Sequence, residues 1–347
     1  MQCRYSNPIV REEMLKAFVT ANFTSKGLDR LRQHMEVVYE PWGQTQKLYL
    51  AEDLAERLLE LAADVLILEV DLCHEEVFEA CELKLIGCCR GDPLNVDLEL
   101  ATQKGVPVLF TPGRNAAAVA DLTVTMMLAQ LRQLIPIHNL LASGKFNPQD
   151  PGEFMALFKK MTGLEMGGQT VGIIGLGAIG RAVAVRARAF GSRVLAYDPF
   201  VDPKNAAAVE LTDLDTLLRE SDLVTIHVPL LDQTQGMIGA RELSLMKPTA
   251  YFFNLARAGL IVQDALYQAL KEKRIAGAGI DVFPTEPPPP DERLLFLDNV
   301  IVTPHIAGAT HDVIRHQTDM VLNDLLAWLR GERPIHLANP EVWDRRP

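Results

Sequence analysis

Three residues with acid–base or anion-binding chemistry each follow a short apolar run. Arg257 follows AYFFNL, Glu286 follows GAGIDVF and His305 follows NVIVTP. Histidine titrates near working pH and can transfer a proton, and a neighbouring glutamate would orient its ring and favour the imidazolium. The planar fork of an arginine binds a carboxylate or a carbonyl oxygen. These residue types suit a reaction in which a hydride leaves carbon while a proton leaves oxygen.

Each of these residues also has an ordinary structural interpretation. One histidine among eight is commonly structural, an arginine at a strand end is commonly a surface or ion-pair residue, and a glutamate before four prolines is commonly a solvated loop residue. In an open α/β sheet, however, ligands bind beyond the carboxyl ends of the strands. If the three apolar runs are strands, all three side chains lie at that edge, and this joint placement favours a common site.

A glycine-rich turn lies between another apolar run, TVGII, and a helical stretch. In a dinucleotide-binding motif the first glycine permits the tight turn, the second lets the backbone approach a pyrophosphate, and the third lets helix and strand pack closely. The free N–H groups at the start of the helix then face the phosphates. The candidate cofactor-binding residues of this turn are Gly175, Gly177, Ala178, Ile179 and Gly180.

Asp198 ends the next apolar run, RVLAYD, and lies 23 residues after Gly175. At this point of the motif a carboxylate accepts hydrogen bonds from both ribose hydroxyls and repels a 2′-phosphate, which favours NAD over NADP. Arg193 stands before the run rather than after it, so it is not placed to offset that repulsion. The alternative interpretation is a glycine-rich turn without a ligand.

Apolar runs alternate with helical stretches in two series, which predicts two mostly parallel sheets covered by helices on both faces. The first series, residues 16–110, has the strands KAFVTANF, DVLILEV, KLIGCC and VPVLF. Its helices are SKGLDRLRQHM with Ser25 as N-cap, AEDLAERLLELAA, and shorter stretches at 74–81 and 96–103. The second series, residues 170–303, has the strands TVGIIG, RVLAYD, LVTIHV, AYFFNL, GAGIDVF and NVIVTP.

Less regular segments connect these series. A long helix is predicted from residue 115 to about residue 141, either as a core helix or as part of a domain junction or dimer face. Residues 143–168 predict a loop with one helical segment at 154–161, and the proline run 287–290 must be extended. A last helix is predicted from His311 to about Arg330.

Composition limits the classes of function. The chain has 347 residues, enough for about two domains at roughly 150 residues each. A net charge of −11 makes it a poor nucleic-acid binder, and no apolar run is long enough to span a membrane. Five cysteines without a C-x-x-C spacing indicate neither a disulfide framework nor a metal site. We therefore expect a soluble, cytoplasmic protein, with residues 1–13 as a simple extension.

Taken together, these motifs resemble those of the D-isomer-specific 2-hydroxyacid dehydrogenases, a family that includes phosphoglycerate, glycerate and D-lactate dehydrogenases. The resemblance covers roughly residues 61–331 and is carried by TPGRNAAAVAD, VGIIGLGAIG, NLARAGLIVQDAL, GIDVFPTEP and TPHIAGAT. It implies that Arg257 binds the substrate carboxylate, that Glu286 partners the histidine, and that His305 is the acid/base. Formate dehydrogenases are also similar but carry a glutamine at the position of Glu286, so the glutamate favours a hydroxy-acid reaction.

The same resemblance implies further cofactor contacts. Asp281 would touch the nicotinamide carboxamide, and the loop His227-Val228-Pro229 would line the adenine pocket. The expected catalytic histidine is therefore His305 rather than His227.

The resemblance also implies a domain plan. We expect two Rossmann-like or flavodoxin-like α/β domains with parallel sheets, in which the cofactor domain is inserted into the substrate domain. The expected substrate domain is residues 1–111 plus 309–347, and the expected NAD-binding Rossmann domain is residues 112–308. The two domains would close on the substrate and exclude water from the hydride path. A homodimer is also expected, with the long helix from residue 115 in its interface.

The match to the family is weakest in the loop after KLIGCC. In the family, backbone N–H groups of this loop help to hold the substrate carboxylate; Gly91 can supply one, whereas Pro93 has none. Arg90 either adds a charge for an acidic substrate or braces the loop through an ion pair. Cys88 and Cys89 are either reactive or packed as small apolar residues, and we favour packing.

Glu69 and Asp71 follow DVLIL, where phosphoglycerate dehydrogenases often carry an arginine. Two carboxylates would repel a phosphate, which counts against 3-phosphoglycerate as the substrate.

The predicted function is NAD-dependent interconversion of a 2-hydroxy acid and a 2-oxo acid. The predicted partners are this small molecule and a second copy of the chain, with no nucleic acid and no membrane. One alternative is an NADH-sensing binding protein, because some transcriptional corepressors resemble this family. Another is oxidation of a different small anion such as phosphite. Turnover with 2-oxo acids distinguishes these possibilities, while the substrate side chain and the physiological direction stay open.

Overall fold

The two predicted series of strands form two separate sheets in the computed structural model of the protein, and every strand pair is parallel. The structure describes residues 14–145, 149–206 and 209–345, so the expected extension at residues 1–13 lies outside the described residues. The chain divides into two units. We call residues up to Arg114 and from Thr310 onwards the terminal unit, and residues Asn115–Ala309 the central unit.

The terminal unit contains a five-stranded sheet in the order β2-β1-β3-β4-β5. Its strands are β1 (Lys16–Val19), β2 (Glu36–Tyr39), β3 (Val65–Leu68), β4 (Leu85–Cys88) and β5 (Val108–Leu109). Its first helices are α1 (Ser25–Arg32), α2 (Trp42–Thr45), α3 (Ala51–Leu61), α4 (Glu75–Ala80) and α5 (Leu98–Gln103). The central strands β3 and β4 are buried along their whole length, as expected of parallel strands covered on both faces.

Several details of the terminal unit differ from the prediction, among them the short helices α2 and α14 (Glu341–Asp344), which were not predicted. Strand β2 (EVVY) was not predicted, because it is a half-exposed edge strand with only a short apolar run. Helix α1 is capped by Thr24 rather than Ser25, since the Thr24 hydroxyl accepts a hydrogen bond from the Gly27 N–H at 3.1 Å.

The central unit contains a seven-stranded sheet in the order β12-β11-β10-β9-β6-β7-β8. Its strands are β6 (Thr170–Ile174), β7 (Arg193–Tyr197), β8 (Glu210–Leu211), β9 (Leu223–Ile226), β10 (Tyr251–Asn254), β11 (Gly277–Ile280) and β12 (Val300–Val302). The first strand, β6, lies between β7 and β9, so the strand order reverses at β6 and opens a crevice at the carboxyl edge. The short edge strand β8 was not predicted.

The central unit has seven α-helices among its described residues. They are α6 (Ala116–Leu131), α7 (Leu134–Ala142), α8 (Pro151–Lys160), α9 (Ala178–Ala189), α10 (Leu214–Glu220), α11 (Ala240–Leu245) and α12 (Gln263–Lys271). The prediction of one long helix over residues 115–141 is wrong, because the chain breaks between α6 and α7 at Gln133, whose φ is +51°. Pro136 explains the break, since its ring would clash with the carbonyl of residue 132 in a continuous helix.

The chain returns to the terminal unit through α13 (His311–Leu329), which packs against α1, β4 and β5, and ends in α14 (Glu341–Asp344). The proline run at 287–290 forms neither helix nor strand, as predicted. No helix within the described ranges is long and apolar enough to cross a membrane.

Candidate active site

The glycine-rich turn joins β6 to α9 in a geometry that only small residues allow. Gly175 has a φ of +94°, and a Cβ atom there would lie 2.8 Å from the carbonyl oxygen of His227. A Cβ atom on Gly180 would lie 2.0 Å from the carbonyl oxygen of Gly175, so helix and turn are in direct contact. A Cβ atom on Gly177 would meet nothing within 4 Å. The turn is therefore closed on the protein side and open beside Gly177, which fits a bound pyrophosphate at the start of α9.

Asp198 directly follows β7 and faces the glycine-rich turn. Its Oδ2 accepts a hydrogen bond from the Leu176 N–H at 2.8 Å, and its Oδ1 accepts one from the Phe200 N–H at 3.0 Å. These bonds fix a half-buried carboxylate at the carboxyl edge of the sheet. Arg193 begins β7 at the other edge, where it pairs with Glu210 and Glu220. Arg193 therefore does not pair with Asp198, in agreement with its predicted position before the strand.

His227 follows β9, and its ring turns back toward the protein. Its Nε2 lies 2.9 Å from the Thr225 hydroxyl, while its buried Nδ1 has no hydrogen-bond partner among the described residues. Burial lowers the pKa of His227 to about 3, so the ring is neutral near pH 7. The exposed Pro229 continues the same loop.

Glu286 and His305 form a hydrogen-bonded pair at the surface of the central unit. His305 Nδ1 lies 2.6 Å from Glu286 Oε2, and Glu286 Oε1 accepts a hydrogen bond from the Phe283 N–H at 3.1 Å. Partial burial raises the pKa of Glu286, but the bonds from His305 and Phe283 and the charge of Arg257 lower it more, so the pKa lies below its usual value. The carboxylate is therefore ionised near pH 7 and holds the Nδ1 side of the ring, which leaves Nε2 for chemistry.

Arg257 is positioned by the last residue of β10. The buried Asn254 side chain donates from Nδ2 to the Arg257 carbonyl at 2.9 Å and accepts from the Ala256 N–H at 3.0 Å. This local turn carries the exposed arginine away from the strand. The effect of the Arg257 charge on the pKa of Glu286 places both side chains in one electrostatic environment.

Asp281 directly follows β11 and is fully buried. Its carboxylate accepts hydrogen bonds from the Thr303 hydroxyl and from the N–H groups of Ile306 and Ala307, the latter two at 2.9 Å. These bonds hold the segment that carries His305, whose φ of +59° is uncommon for a residue other than glycine. The sequence indicated only a cofactor contact for Asp281 and missed this positioning.

It was also not predicted that Asn254 positions the turn of Arg257. A signal for both was present: each is a short polar side chain at the end of a buried strand, where the next loop needs hydrogen-bond partners.

The terminal unit also has polar side chains at the carboxyl edge of its sheet, where Glu69 and Asp71 follow β3. Glu69 is buried and accepts hydrogen bonds from Trp42 Nε1 at 2.9 Å, Arg114 Nη1 at 2.9 Å and Gln317 Nε2 at 3.2 Å. Asp71 is also buried and accepts from the Thr20 hydroxyl and the Tyr49 N–H.

Arg114 offsets the charge of Glu69, whereas Asp71 is hydrogen-bonded only to uncharged donors, so the expected repulsion of a phosphate stays a prediction. Cys88 and Cys89 are buried, and burial raises the pKa of Cys88 to about 12 and that of Cys89 well above its usual value. Both are packed thiols rather than reactive thiolates.

Arg90 and Gly91 lie in the loop after β4. The Arg90 carbonyl accepts a hydrogen bond from the Thr111 N–H at 2.8 Å, but its half-buried side chain makes no ion pair or hydrogen bond with residues that the structure describes. The bracing ion pair, one of the two interpretations of Arg90, is therefore not formed with any of these residues. Gly91 is exposed beside the Thr111–Gly113 backbone.

Known proteins are similar to this chain in both sequence and fold. The sequence model of the D-isomer specific 2-hydroxyacid dehydrogenase NAD binding domain matches residues 124–307, more than half of the chain. A glyoxylate reductase of Korarchaeum cryptofilum is 38% identical over 340 residues, covering 96% of this chain and 98% of that protein. The chain belongs to the D-isomer specific 2-hydroxyacid dehydrogenase family.

Solved structures are also similar to this chain. The TT0316 protein of Thermus thermophilus is 33% identical, with a TM-score of 0.79 over 93% of this chain and 100% of that one. A D-isomer specific 2-hydroxyacid dehydrogenase of Lactobacillus delbrueckii, in its NAD complexed form, is 27% identical, with a TM-score of 0.77 over 94% of this chain and 99% of that one.

Membership of the dehydrogenase family confirms the predicted fold of two parallel α/β domains, the NAD cofactor and the reaction class. The protein is an NAD-dependent oxidoreductase that interconverts 2-hydroxy and 2-oxo acids. These relatives favour neither a corepressor-like sensor nor oxidation of phosphite.

Proposed function

We propose that the protein uses Arg257, Glu286 and His305 to reduce a 2-oxo acid to a 2-hydroxy acid and to catalyse the reverse oxidation. The observation that carries this assignment is the 2.6 Å pair between His305 and Glu286, exposed beside the positive charge of Arg257. An acid/base and an anion-binding fork are the two groups that this reaction requires besides a hydride carrier.

In the proposed mechanism the bound nicotinamide supplies the hydride donor or acceptor. Arg257 binds the substrate carboxylate through two parallel N–H donors and so fixes the orientation of the adjacent carbonyl. Glu286 keeps the Nδ1 side of the His305 ring engaged, so that Nε2 gives a proton to the carbonyl oxygen during reduction. In the oxidation direction Nε2 takes that proton back from the hydroxyl group.

The proposed cofactor contacts follow from the elements at the carboxyl edge of the central sheet. The N–H groups of the turn and of the first residues of α9 bind the pyrophosphate, and Asp198 accepts from the adenosine ribose hydroxyls. The loop of His227 and Pro229 lines the adenine pocket, and Asp281 lies toward the nicotinamide carboxamide. The residues that contact the pyrophosphate in this proposal are Gly175, Gly177, Ala178, Ile179 and Gly180.

We also propose roles for the two units. The central unit, close to the expected residues 112–308, binds NAD, and the terminal unit, close to the expected 1–111 plus 309–347, binds the substrate. Within the terminal unit, the Arg90–Gly91 loop contacts the substrate.

The test is NADH oxidation with a panel of 2-oxo acids. It includes glyoxylate because relatives carry the name glyoxylate reductase. His305→Asn is the matched variant, since asparagine tolerates a positive φ but cannot exchange a proton near pH 7. We expect kcat to fall about 10²–10⁴-fold, the usual contribution of a positioned acid/base. Wild-type levels of turnover in this variant would refute the catalytic assignment.

We further propose that the protein is a homodimer. Helices α7 and α8 expose apolar side chains, including Leu141, Phe154 and Phe158, and the two phenylalanines line a cleft of about 420 Å³. Helix α8 has Glu153 in its first turn and Lys159 and Lys160 in its last, so two antiparallel copies would place opposite charges together. Sedimentation equilibrium tests the proposal, and we expect Phe158→Asp to give a monomer; a wild-type monomer would exclude it.

We finally propose a cytoplasmic location. All four cysteines among the described residues are free thiols, which suits a reducing compartment. Cell fractionation with an antibody against the protein tests this, and recovery in an exported fraction would contradict it.

A further inference from the structure

Arg90 is a charged side chain at the carboxyl edge of the terminal sheet that forms no ion pair with a described residue. It lies two residues beyond β4, at the edge where ligands of open α/β sheets bind. Its side chain is half-buried, and no described residue forms an ion pair or hydrogen bond with it. A partly desolvated cation without a partner is unfavourable, so this position favours an anion from outside the unit.

Two neighbouring buried carboxylates, Glu69 and Asp71, are engaged by residues other than Arg90. Arg114 Nη1 lies 2.9 Å from Glu69 Oε1 and also donates to the Gln317 side chain, so the charges of Arg114 and Glu69 offset each other. Asp71 is satisfied by Thr20 and Tyr49. Asp92 lies two residues further along the same loop and is exposed, and no ion pair joins it to Arg90.

The backbone that carries Arg90 is firmly held. Thr111 donates to the Arg90 carbonyl at 2.8 Å, and further along the loop Asn95 Nδ2 donates to the Asp71 carbonyl at 2.7 Å. The Asn95 carbonyl in turn accepts from the Cys73 N–H at 2.9 Å. A fixed backbone with an unengaged guanidinium is preorganised for binding, because little freedom of the loop is lost when a ligand arrives.

Given the proposed function, on which this step rests, we propose that Arg90 binds a second anionic group of the substrate. This group is distinct from the carboxylate next to the oxo group. The preferred substrates are then 2-oxo acids with a second carboxylate or a phosphate. The guanidinium fork suits both groups. The charge of the nearby Glu69 is offset by Arg114, which reduces its repulsion of such a group.

The experiment compares kcat/KM for three substrate pairs that differ in the second charge. The carboxylate pairs are oxaloacetate with 4-methyl-2-oxopentanoate and 2-oxoglutarate with 5-methyl-2-oxohexanoate, in which an isopropyl group replaces the carboxylate. The phosphate pair is phosphohydroxypyruvate with hydroxypyruvate. Each pair is measured with the wild type, Arg90→Gln and Arg90→Lys.

We expect the wild type to prefer the anionic member of at least one pair. Arg90→Gln should lower kcat/KM for that member about tenfold or more, as for a lost hydrogen bond to a charged group, and change the neutral member by less than about threefold. Arg90→Lys should keep part of the preference, because the charge remains but the fork is lost. The pair that responds identifies the anion as carboxylate or phosphate.

Arg30→Gln is the matched control. Arg30 is also half-buried without an ion pair to any residue in the described ranges, but it lies in the last turn of α1. That turn lies toward the amino edge of the sheet, since β2 begins shortly after α1 ends. This variant should leave all three ratios unchanged.

Other outcomes would overturn the assignment. An equal loss for both members of a pair would place Arg90 at the shared carboxylate or in the loop fold. An unchanged ratio in every pair, or a wild type that prefers each neutral member, would exclude a second anion site. Failure of the wild type to reduce any of the six compounds, or glyoxylate, would instead count against the proposed function.

Discussion

Two pairs of a carboxylate with a basic side chain lie beyond strand ends in this protein, one in each unit, and they are built differently. In the central unit Glu286 pairs with His305 at 2.6 Å, and the two side chains are 36% and 44% exposed. In the terminal unit Glu69 pairs with Arg114 at 2.9 Å, and the two side chains are 11% and 19% exposed. The distances are similar, but the surroundings give the two pairs different uses.

The difference lies in how many hydrogen-bond positions remain free. Glu69 accepts hydrogen bonds from Trp42 in α2 and Gln317 in α13 in addition to Arg114. Its carboxylate therefore has few positions left to bind a ligand. Glu286 receives one backbone bond, and the opposite nitrogen of its histidine partner stays available. A buried, saturated pair stabilises a fold, whereas an exposed pair with one free nitrogen is suited to proton transfer.

The largest expected effect comes from breaking the buried pair. Glu69→Ala should lower the free energy of unfolding by about 3–5 kcal/mol, because it leaves the Arg114 charge buried and unpaired. Urea denaturation measures this. The matched change Glu286→Ala should cost less than about 1 kcal/mol, as expected of an exposed pair. Equal losses in the two variants would contradict the distinction drawn here.

The next effect concerns catalysis and is expected at the exposed pair. Glu286→Gln should lower kcat about 10²-fold, since the ring of His305 loses the charged partner that orients it. Steady-state NADH oxidation measures this, together with thermal melting to confirm folding. If kcat is unchanged while the melting temperature falls steeply, the pair is structural after all.

A smaller effect is expected at Asp198, a third carboxylate at a strand end. It is half-buried and accepts hydrogen bonds from two backbone N–H groups, so its burial and hydrogen bonding are intermediate between those of the two pairs. Asp198→Ala should reduce the preference for NADH over NADPH about tenfold, because charged hydrogen bonds to the ribose are lost and the repulsion of a 2′-phosphate disappears. The ratio of kcat/KM for the two coenzymes is the readout, and an unaltered ratio would remove Asp198 from the ribose site.

The smallest effect is the pH dependence of stability at Glu286. Its pKa is lower in the folded protein than its ordinary value of 4.5, so ionisation favours the folded state above that value. The stabilisation is lost only as pH falls through the lowered pKa, and exposure limits it to less than about 1 kcal/mol. The difference in melting temperature between wild type and Glu286→Gln should persist from pH 7 to 5 and shrink below 4.5. A difference that shrinks already above pH 5 would contradict this.

Much of the molecule follows from local sequence pattern. The apolar runs of β6, β7, β9, β10 and β11 were predictable because parallel strands buried on both faces need continuous apolar residues. The glycine-rich turn was predictable because it needs residues without side chains. The same regularity placed Arg257, Glu286 and His305 after strands. Edge strands β2 and β8 escaped prediction because few of their side chains are buried.

Other features depend on residues far apart in the chain. Glu69 and Gln317 are 248 positions apart, and Asp281 and Ala307 are 26 apart, so no local pattern reveals that one carboxylate is saturated or that the other holds the turn of His305. The sequence determined the strands, the turn and the residue types at the sheet edge. Only the tertiary structure decided which of those charges are buried and paired and which stay available, because burial and pairing depend on what packs against each side chain.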